Sequence, residues 1–182
     1  TSTSALTGTL VDVGNAPGNL LVPPEMSLLF VSNYGGAEET GNDNVAAVNW
    51  QTGAKTAIKV GDKPLGLAAT SDGGLVFVAN YGSNSVSVLS TASLSELIQV
   101  STGRGPTACA VTPDNSQVYV TNSLDGTLSV LDVQSKTVIE TIPIGQPGSA
   151  PYDIAIYSNA AGEVYALVTD RDLDRLQVFL VR

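Results

Sequence analysis

Residues 106–132 read Pro106-Thr-Ala-Cys-Ala-Val-Thr-Pro-Asp-Asn-Ser-Gln-Val-Tyr-Val-Thr-Asn122-Ser-Leu-Asp-Gly-Thr-Leu-Ser-Val-Leu-Asp132. Three short apolar or β-branched runs are separated by two clusters of turn formers, which is strand and hairpin chemistry and not helix chemistry. Upstream stands Gly103, three residues before Pro106, and Asn122 follows that proline by sixteen. The same marks recur as Gly14/Pro17 with Asn33 and as Gly61/Pro64 with Asn80. A fourth set has Gly148/Pro151 with Asp170, displaced by three residues around 159–162. The proline spacings of 47, 42 and 45 fall in the range of propeller blades.

Working outward, Val76-Phe-Val-Ala-Asn80 and Leu29-Phe-Val-Ser-Asn33 repeat the second run. Val86-Ser-Val-Leu89, Val45-Ala-Ala-Val48 and Leu176-Gln-Val-Phe179 repeat the third. Val86-Ser-Val and Leu128-Ser-Val have a period of two, which places one face inward. First strands are expected at 65–69, 107–111 and 152–156, and fourth strands at 55–60, 97–101 and 137–144. The stretch 90–97 has some helical character and is read as a longer turn. Four antiparallel strands per repeat with no intervening helix describe an all-β propeller blade. The expectation is one domain over 1–182, with blades at 17–63, 64–105, 106–150 and 151–182 and an added strand at 7–14. That strand is a fourth strand without its preceding three, and the last copy has three without a fourth. Three arrangements fit: a four-blade ring closed by the N-terminal strand, half of an eight-blade ring made by a dimer, or a fragment of a longer chain.

The segments Val118-Tyr-Val-Thr-Asn122, Leu128-Ser-Val-Leu-Asp132, Thr137-Val-Ile-Glu-Thr-Ile-Pro-Ile-Gly145 and Thr112-Pro-Asp114 resemble the YVTN repeat. The resemblance runs through nearly the whole chain and is looser in the first and fourth copies. It implies a β-propeller of the kind found in surface-layer and other exported microbial proteins, and in relatives of dehydrogenase subunits. Such propellers usually have seven blades, against four copies here.

The 182 residues carry eight Lys and Arg, seventeen Asp and Glu and no His, for a net charge of −9. Phosphate recognition needs a basic stripe, so nucleic acid is not expected as a partner. No apolar run is long enough for a transmembrane helix. The absence of histidine removes Ser-His-Asp and Cys-His hydrolysis and most zinc sites. Cys109 is the single cysteine, without a basic neighbour in sequence, and reads as a small buried residue. Thr1 reads as a processed or trimmed end, compatible with secretion. An extracellular, cell-surface or periplasmic location is the expectation.

In a propeller the Asn hairpins and the Gly-x-x-Pro connections emerge on one face. Tyr34, Tyr81 and Arg104 are expected there, with Glu38, Glu39 and Asp43 from a six-residue insertion in the first hairpin. Trp50 is expected on the opposite face, packed over its hairpin. Asp170, Asp172 and Asp174 alternate as calcium ligands do. The turn glycine of such a loop is missing, and Arg171 and Arg175 neutralise the carboxylates, so a solvated hairpin without cofactor is the competing reading. The functional expectation is a non-catalytic interaction module binding a protein or cell-surface partner, with homo-oligomer formation or pairing with further blades. Its alternatives are a subunit docking a redox or hydrolytic partner, and a glycan-binding propeller.

Overall fold

A computed structural model describes residues 10–24, 26–35, 43–144 and 149–181. Among them every regular element is a strand. The first sheet holds β1 (Pro17–Leu21), β2 (Leu28–Asn33), β3 (Asn44–Asn49) and β4 (Lys55–Lys59). The second holds β5 (Pro64–Ala69), β6 (Leu75–Asn80), β7 (Ser85–Ser90) and β8 (Ser95–Ser101). The third holds β9 (Pro106–Val111), β10 (Gln117–Asn122), β11 (Thr127–Asp132) and β12 (Thr137–Pro143), and the fourth holds β13 (Pro151–Ser158), β14 (Val164–Asp170) and β15 (Arg175–Leu180). Sequence neighbours are sheet neighbours throughout, all antiparallel. The stretch of helical character before β8 is a plain turn.

The landmark residues turn out to be cross-strand partners. Pro17 faces Asn33, Pro64 faces Asn80, Pro106 faces Asn122 and Pro151 faces Asp170. Each ladder shifts register beside that pair. A proline cannot donate to a ladder, and an irregularity is where a strand tolerates the loss. The three extra residues of the fourth copy are taken up by its longer first hairpin, where Asn159 N–H donates to Glu163 O at 3.0 Å.

The sheets stack face to face. Phe30, Val45, Ala47 and Ile58 of the first blade pack on Val76, Val78 and Leu89 of the second. Phe77, Val86 and Val88 of the second pack on Val118, Val120 and Leu131 of the third. Tyr119, Leu128 and Val130 of the third pack on Ile154, Ala166 and Val168 of the fourth. The middle blades are therefore covered on both faces. This corrects the reading of Val86-Ser-Val and Leu128-Ser-Val as one face inward and one outward: Ser87 and Ser129 are both 0% exposed. Their hydroxyls are buried because they accept amide hydrogen bonds, described below.

The inner strands lie side by side, β1 against β5, β5 against β9 and β9 against β13. Gly66 sets how close two of them come: a Cβ there would sit 2.6 Å from Ala108 Cα and 2.7 Å from Thr107 O. The four blades form an open arc, not a closed ring. Closure by the strand expected at 7–14 is not made, because residues 10–14 form no strand and Val11 and Val13 lie on the outer face of the first blade, against Val31, Ala46 and Val48. Residues 7–9 lie outside the described residues.

Gly66→Ala should lower stability by about 1–3 kcal/mol, because backbone has no rotamer with which to yield. Gly18→Ala, whose Cβ would have ordinary contacts at 3.6 Å, should leave the urea midpoint of the parent chain nearly unchanged.

Candidate functional site

The face carrying the hairpins after each second strand is organised around a buried amide. Asn80 Nδ2 donates to Ser85 Oγ at 3.2 Å and to Ser87 Oγ at 2.8 Å. Asn122 Nδ2 does the same to Thr127 Oγ1 at 3.0 Å and Ser129 Oγ at 2.9 Å. Ser87 and Ser129 also accept the N–H groups of Gly61 and Gly103, both at 3.3 Å. Asn33 Nδ2 donates to Val13 O at 2.7 Å and Asn44 Oδ1 at 2.8 Å. Glycine is required at the connector because a Cβ at Gly14, Gly61 or Gly103 would come within 2.8, 2.7 and 2.7 Å of these Asn side chains. These asparagines are structural, their amides bonding to the third strand and, for Asn33, also to the connector.

The fourth blade reverses the polarity of the same joint. Asp170, 2% exposed, accepts from Ala150 N–H at 3.0 Å and from Gln177 Nε2 at 3.0 Å. Burial pushes its carboxyl up, but its hydrogen bonds, that from Ala150 N–H foremost, and the Arg175 charge together outweigh burial and hold it below the ordinary carboxylate range. Asp172 is exposed and pairs with Arg171 Nε at 3.5 Å. Asp174 holds a left-handed turn position with φ of 48°. The three aspartates thus have separate tasks, and no three His, Cys, Asp or Glu side chains gather at one point among the described residues.

With these joints fixed, seven of the eight residues that directly follow the landmarks face one cavity. The positions after the prolines are Gly18, Leu65, Thr107 and Tyr152, and those after the hairpin marks include Tyr34, Tyr81 and Arg171. These seven line a cavity of about 390 Å³ to which all four blades contribute. Lys63 Nζ lies 5.8 Å from the centroid of the Tyr34 ring, and the Arg171 guanidinium lies 5.2 Å from that of Tyr152. Lys63 holds φ of 53° where the third blade has Gly105 at 63°. The first blade has Ala16 at 49° in the same place, so a left-handed residue before the proline belongs to the connector of the repeat.

The expected face therefore exists, with a changed membership. Tyr34 and Tyr81 share the groove. Arg104 lies outside its lining: its Nε donates to Asp125 Oδ1 at 2.6 Å and its N–H to Asp125 Oδ2 at 2.7 Å. Those two bonds, the backbone one foremost, hold the Asp125 carboxyl below its usual range. Asp43 lies at the base of its hairpin beside Gly35, and Glu38 and Glu39 lie outside the described residues. Tyr152, Arg171 and Lys63 were missed. Reading the residues that flank each proline and each hairpin mark down the four copies would have found them. Trp50 is 57% exposed and borders, with Gln51, Thr52 and Gly53 of its own hairpin, an open cavity on the first blade. Cys109 is buried, its Sγ directed at Phe77 O at 3.5 Å, and burial pushes the thiol up to about 12.

Comparison with known proteins follows the geometry. The family model described as YNCE-like beta-propeller matches residues 44–166. The chain superposes on a structure titled Kuenenia stuttgartiensis Hydrazine Synthase with a TM-score of 0.69 at 22% identity, over 98% of this chain and 53% of that one. On the structure of U3-55K the TM-score is 0.66 at 18% identity, over 91% of this chain and 52% of that one. At such identities the likeness is one of fold alone, and the chain spans about half the length of each. No curated protein matches the sequence. No helix among the described residues is long and apolar enough to cross a membrane.

Asp170 binds its proton more weakly folded than unfolded, where a value near ~3.9 applies. It therefore stabilises the fold above that pH, and the contribution is lost as pH falls through the folded value. Asp170→Asn should flatten the acid limb of the stability curve, read as melting temperature against pH. Cys109 should react with iodoacetamide only as fast as the protein opens, since a thiol so raised holds almost no thiolate at neutral pH.

Proposed function

The chain belongs to the YNCE-like beta-propeller family, and from that premise we propose that it is a non-catalytic interaction module whose axial groove receives an extended acidic segment of a protein partner. One observation carries the reading: Tyr34, Tyr81, Tyr152 and Arg171, from three blades, line this groove, with Lys63 against the Tyr34 ring and Arg171 against that of Tyr152, in a chain of net charge −9. Cations set in a concave site of an acidic molecule draw carboxylates to that place and away from the rest of the surface. Tyrosine faces supply contact area at small entropic cost and anchor interfaces out of proportion to their number. Rigid blades hold these side chains, and the variable positions between blades set what they recognise.

The exported, surface-layer setting that accompanies the YVTN likeness belongs to the same proposal, with an extracellular, cell-surface or periplasmic location. A second reading, glycan binding, is favoured by the placement of Tyr34 and Tyr81 in one groove, since sugar rings stack on such faces. Docking of a redox or hydrolytic partner would use this face as well. The likeness to the hydrazine synthase chain supports the shared fold and carries no activity to this one.

A labelled glutamate-rich peptide should bind, and a lysine-rich one should not. Tyr81→Ala and Arg171→Ala should each weaken binding about tenfold, equivalent to ~1.4 kcal/mol, and the Arg171 share should fade with salt. Equal binding by the doubly substituted chain would remove the groove from the reading. Retention on a glycan array, lost in Tyr34→Ala and Tyr81→Ala, would favour the second.

A further inference from the structure

At three of the four landmark prolines the register shift comes with a side-chain hydroxyl that takes a backbone N–H. Asn19 N–H donates to Ser32 Oγ, Ala108 N–H to Thr121 Oγ1 and Asp153 N–H to Thr169 Oγ1, each at 3.0 Å. Each donor stands two residues after its proline, and each hydroxyl one residue before its hairpin mark. In the first and fourth blades the hydroxyl turns back on the same strand, 3.5 Å from Asn19 O and Asp153 O. The second blade has Ala79 in that place.

The third blade carries a second hydroxyl at this joint. Thr107 Oγ1 lies 2.9 Å from Thr121 Oγ1 and 2.6 Å from Tyr152 O, across the boundary to the fourth blade. Its counterparts directly after the other prolines are Gly18, Leu65 and Tyr152. A hydroxyl has one proton to give. The shortest contact, to Tyr152 O, takes that of Thr107, so Thr107 Oγ1 receives the proton of Thr121, whose oxygen in turn receives Ala108 N–H. The hydrogen bonds therefore run in one direction, from Ala108 through Thr121 and Thr107 to Tyr152. Thr107 is 5% and Thr121 0% exposed, and in such a shielded place each link polarises the next.

We propose that Thr107 is the positioning residue of the axial groove, its hydroxyl fixing the backbone from which the Tyr152 ring and its Arg171 partner meet an occupant. This rests on the reading of the groove as a binding site. Thr107 borders the cavity, but its oxygen is engaged inside the fold and is not offered to a ligand. The carbonyl it holds belongs to the residue whose ring lies 5.2 Å from the Arg171 guanidinium, so a shift of that backbone moves the pair. Thr107 is also gripped from the other side, where its own carbonyl oxygen would lie 2.7 Å from a Cβ at Gly66. One residue thus sets the spacing of the second, third and fourth blades around the groove.

Thr107→Val keeps the shape and removes the hydroxyl, leaving Tyr152 O the longer contact with Thr121 Oγ1 at 3.3 Å. Thr107→Ser restores it. The labelled glutamate-rich peptide should bind the Val variant about fivefold more weakly, the worth of one neutral hydrogen bond, and the Ser variant as tightly as the parent. In a double-substitution cycle, the loss from Arg171→Ala should shrink from about tenfold in the parent to about twofold in the Val background. The loss from Tyr34→Ala should be the same in both, which a general loosening of the fold would not give. Without any peptide, the Arg171 Nε–H proton resonance, shifted by the Tyr152 ring, should move toward its unfolded position in the Val variant and return in the Ser variant. Thr107→Ala should give the same readings, so a misfolded Val variant leaves the test intact. If the parent binds no peptide while that resonance moves as described, the groove reading fails and the positioning of the Tyr152–Arg171 pair by Thr107 stands. An unmoved resonance in a folded Val or Ala variant, or equal Arg171→Ala losses in both backgrounds, would overturn the proposal.

Discussion

A buried side-chain amide pressed against a glycine is the constraint from which the rest of each blade follows. A polar group removed from water without partners costs several kcal/mol, so Asn80 and Asn122 can occupy the sheet end only where hydroxyls receive their N–H groups. Those hydroxyls come from the third strand, the asparagine ends the second, and its cross-strand partner is the proline opening the first. The glycine belongs to the connector arriving from the preceding blade. One amide thus ties three strands of one sheet to the chain entering from another, and it sets the register and the approach of the inner strand to the axis together.

The fourth blade shows what the joint demands and what it leaves free. Replacing a donor by a carboxylate inverts the hydrogen bonds, and the surroundings invert with it. Gln177 donates from the position where Ser87 and Ser129 accept, and the backbone N–H of Ala150 completes the pair. The three asparagine Oδ1 atoms receive no protein hydrogen bond, whereas Asp170 uses both oxygens. The geometry of the landmark pair survives the exchange, since Pro151 still faces Asp170. What is held constant is a hydrogen-bonded side chain of fixed size at that place, and not a particular residue.

Holding that contact constant is what allows the neighbouring positions to vary. The residues after the prolines run Gly, Leu, Thr, Tyr, and those after the hairpin marks run Tyr, Tyr, Ser, Arg. A rigid joint with a variable neighbour is how repeat scaffolds separate stability from recognition. Tyr34 and Tyr81 were legible because Asn-Tyr-Gly occurs twice. Tyr152 and Arg171 were not, because each occurs once and neither belongs to a local motif. Arg104 was placed on the correct face, but its engagement depends on Asp125, a residue of the next hairpin.

The amino-acid sequence by itself determined the strands, their order and their grouping into blades, because short β-branched runs, turn residues and a repeated Gly-x-x-Pro to Asn interval are local properties of the chain. Even the displaced mark at Asp170 was recoverable from the repeat. The tertiary structure alone decided that both faces of the middle blades are covered, that the serines of Val-Ser-Val are buried hydrogen-bond acceptors, and that the N-terminal stretch lies on the first blade without closing a ring. It also decided which side chains meet at the axis. Those outcomes depend on how sheets stack and curve, and a contact between residues more than a hundred positions apart leaves no mark in the spacing of either one.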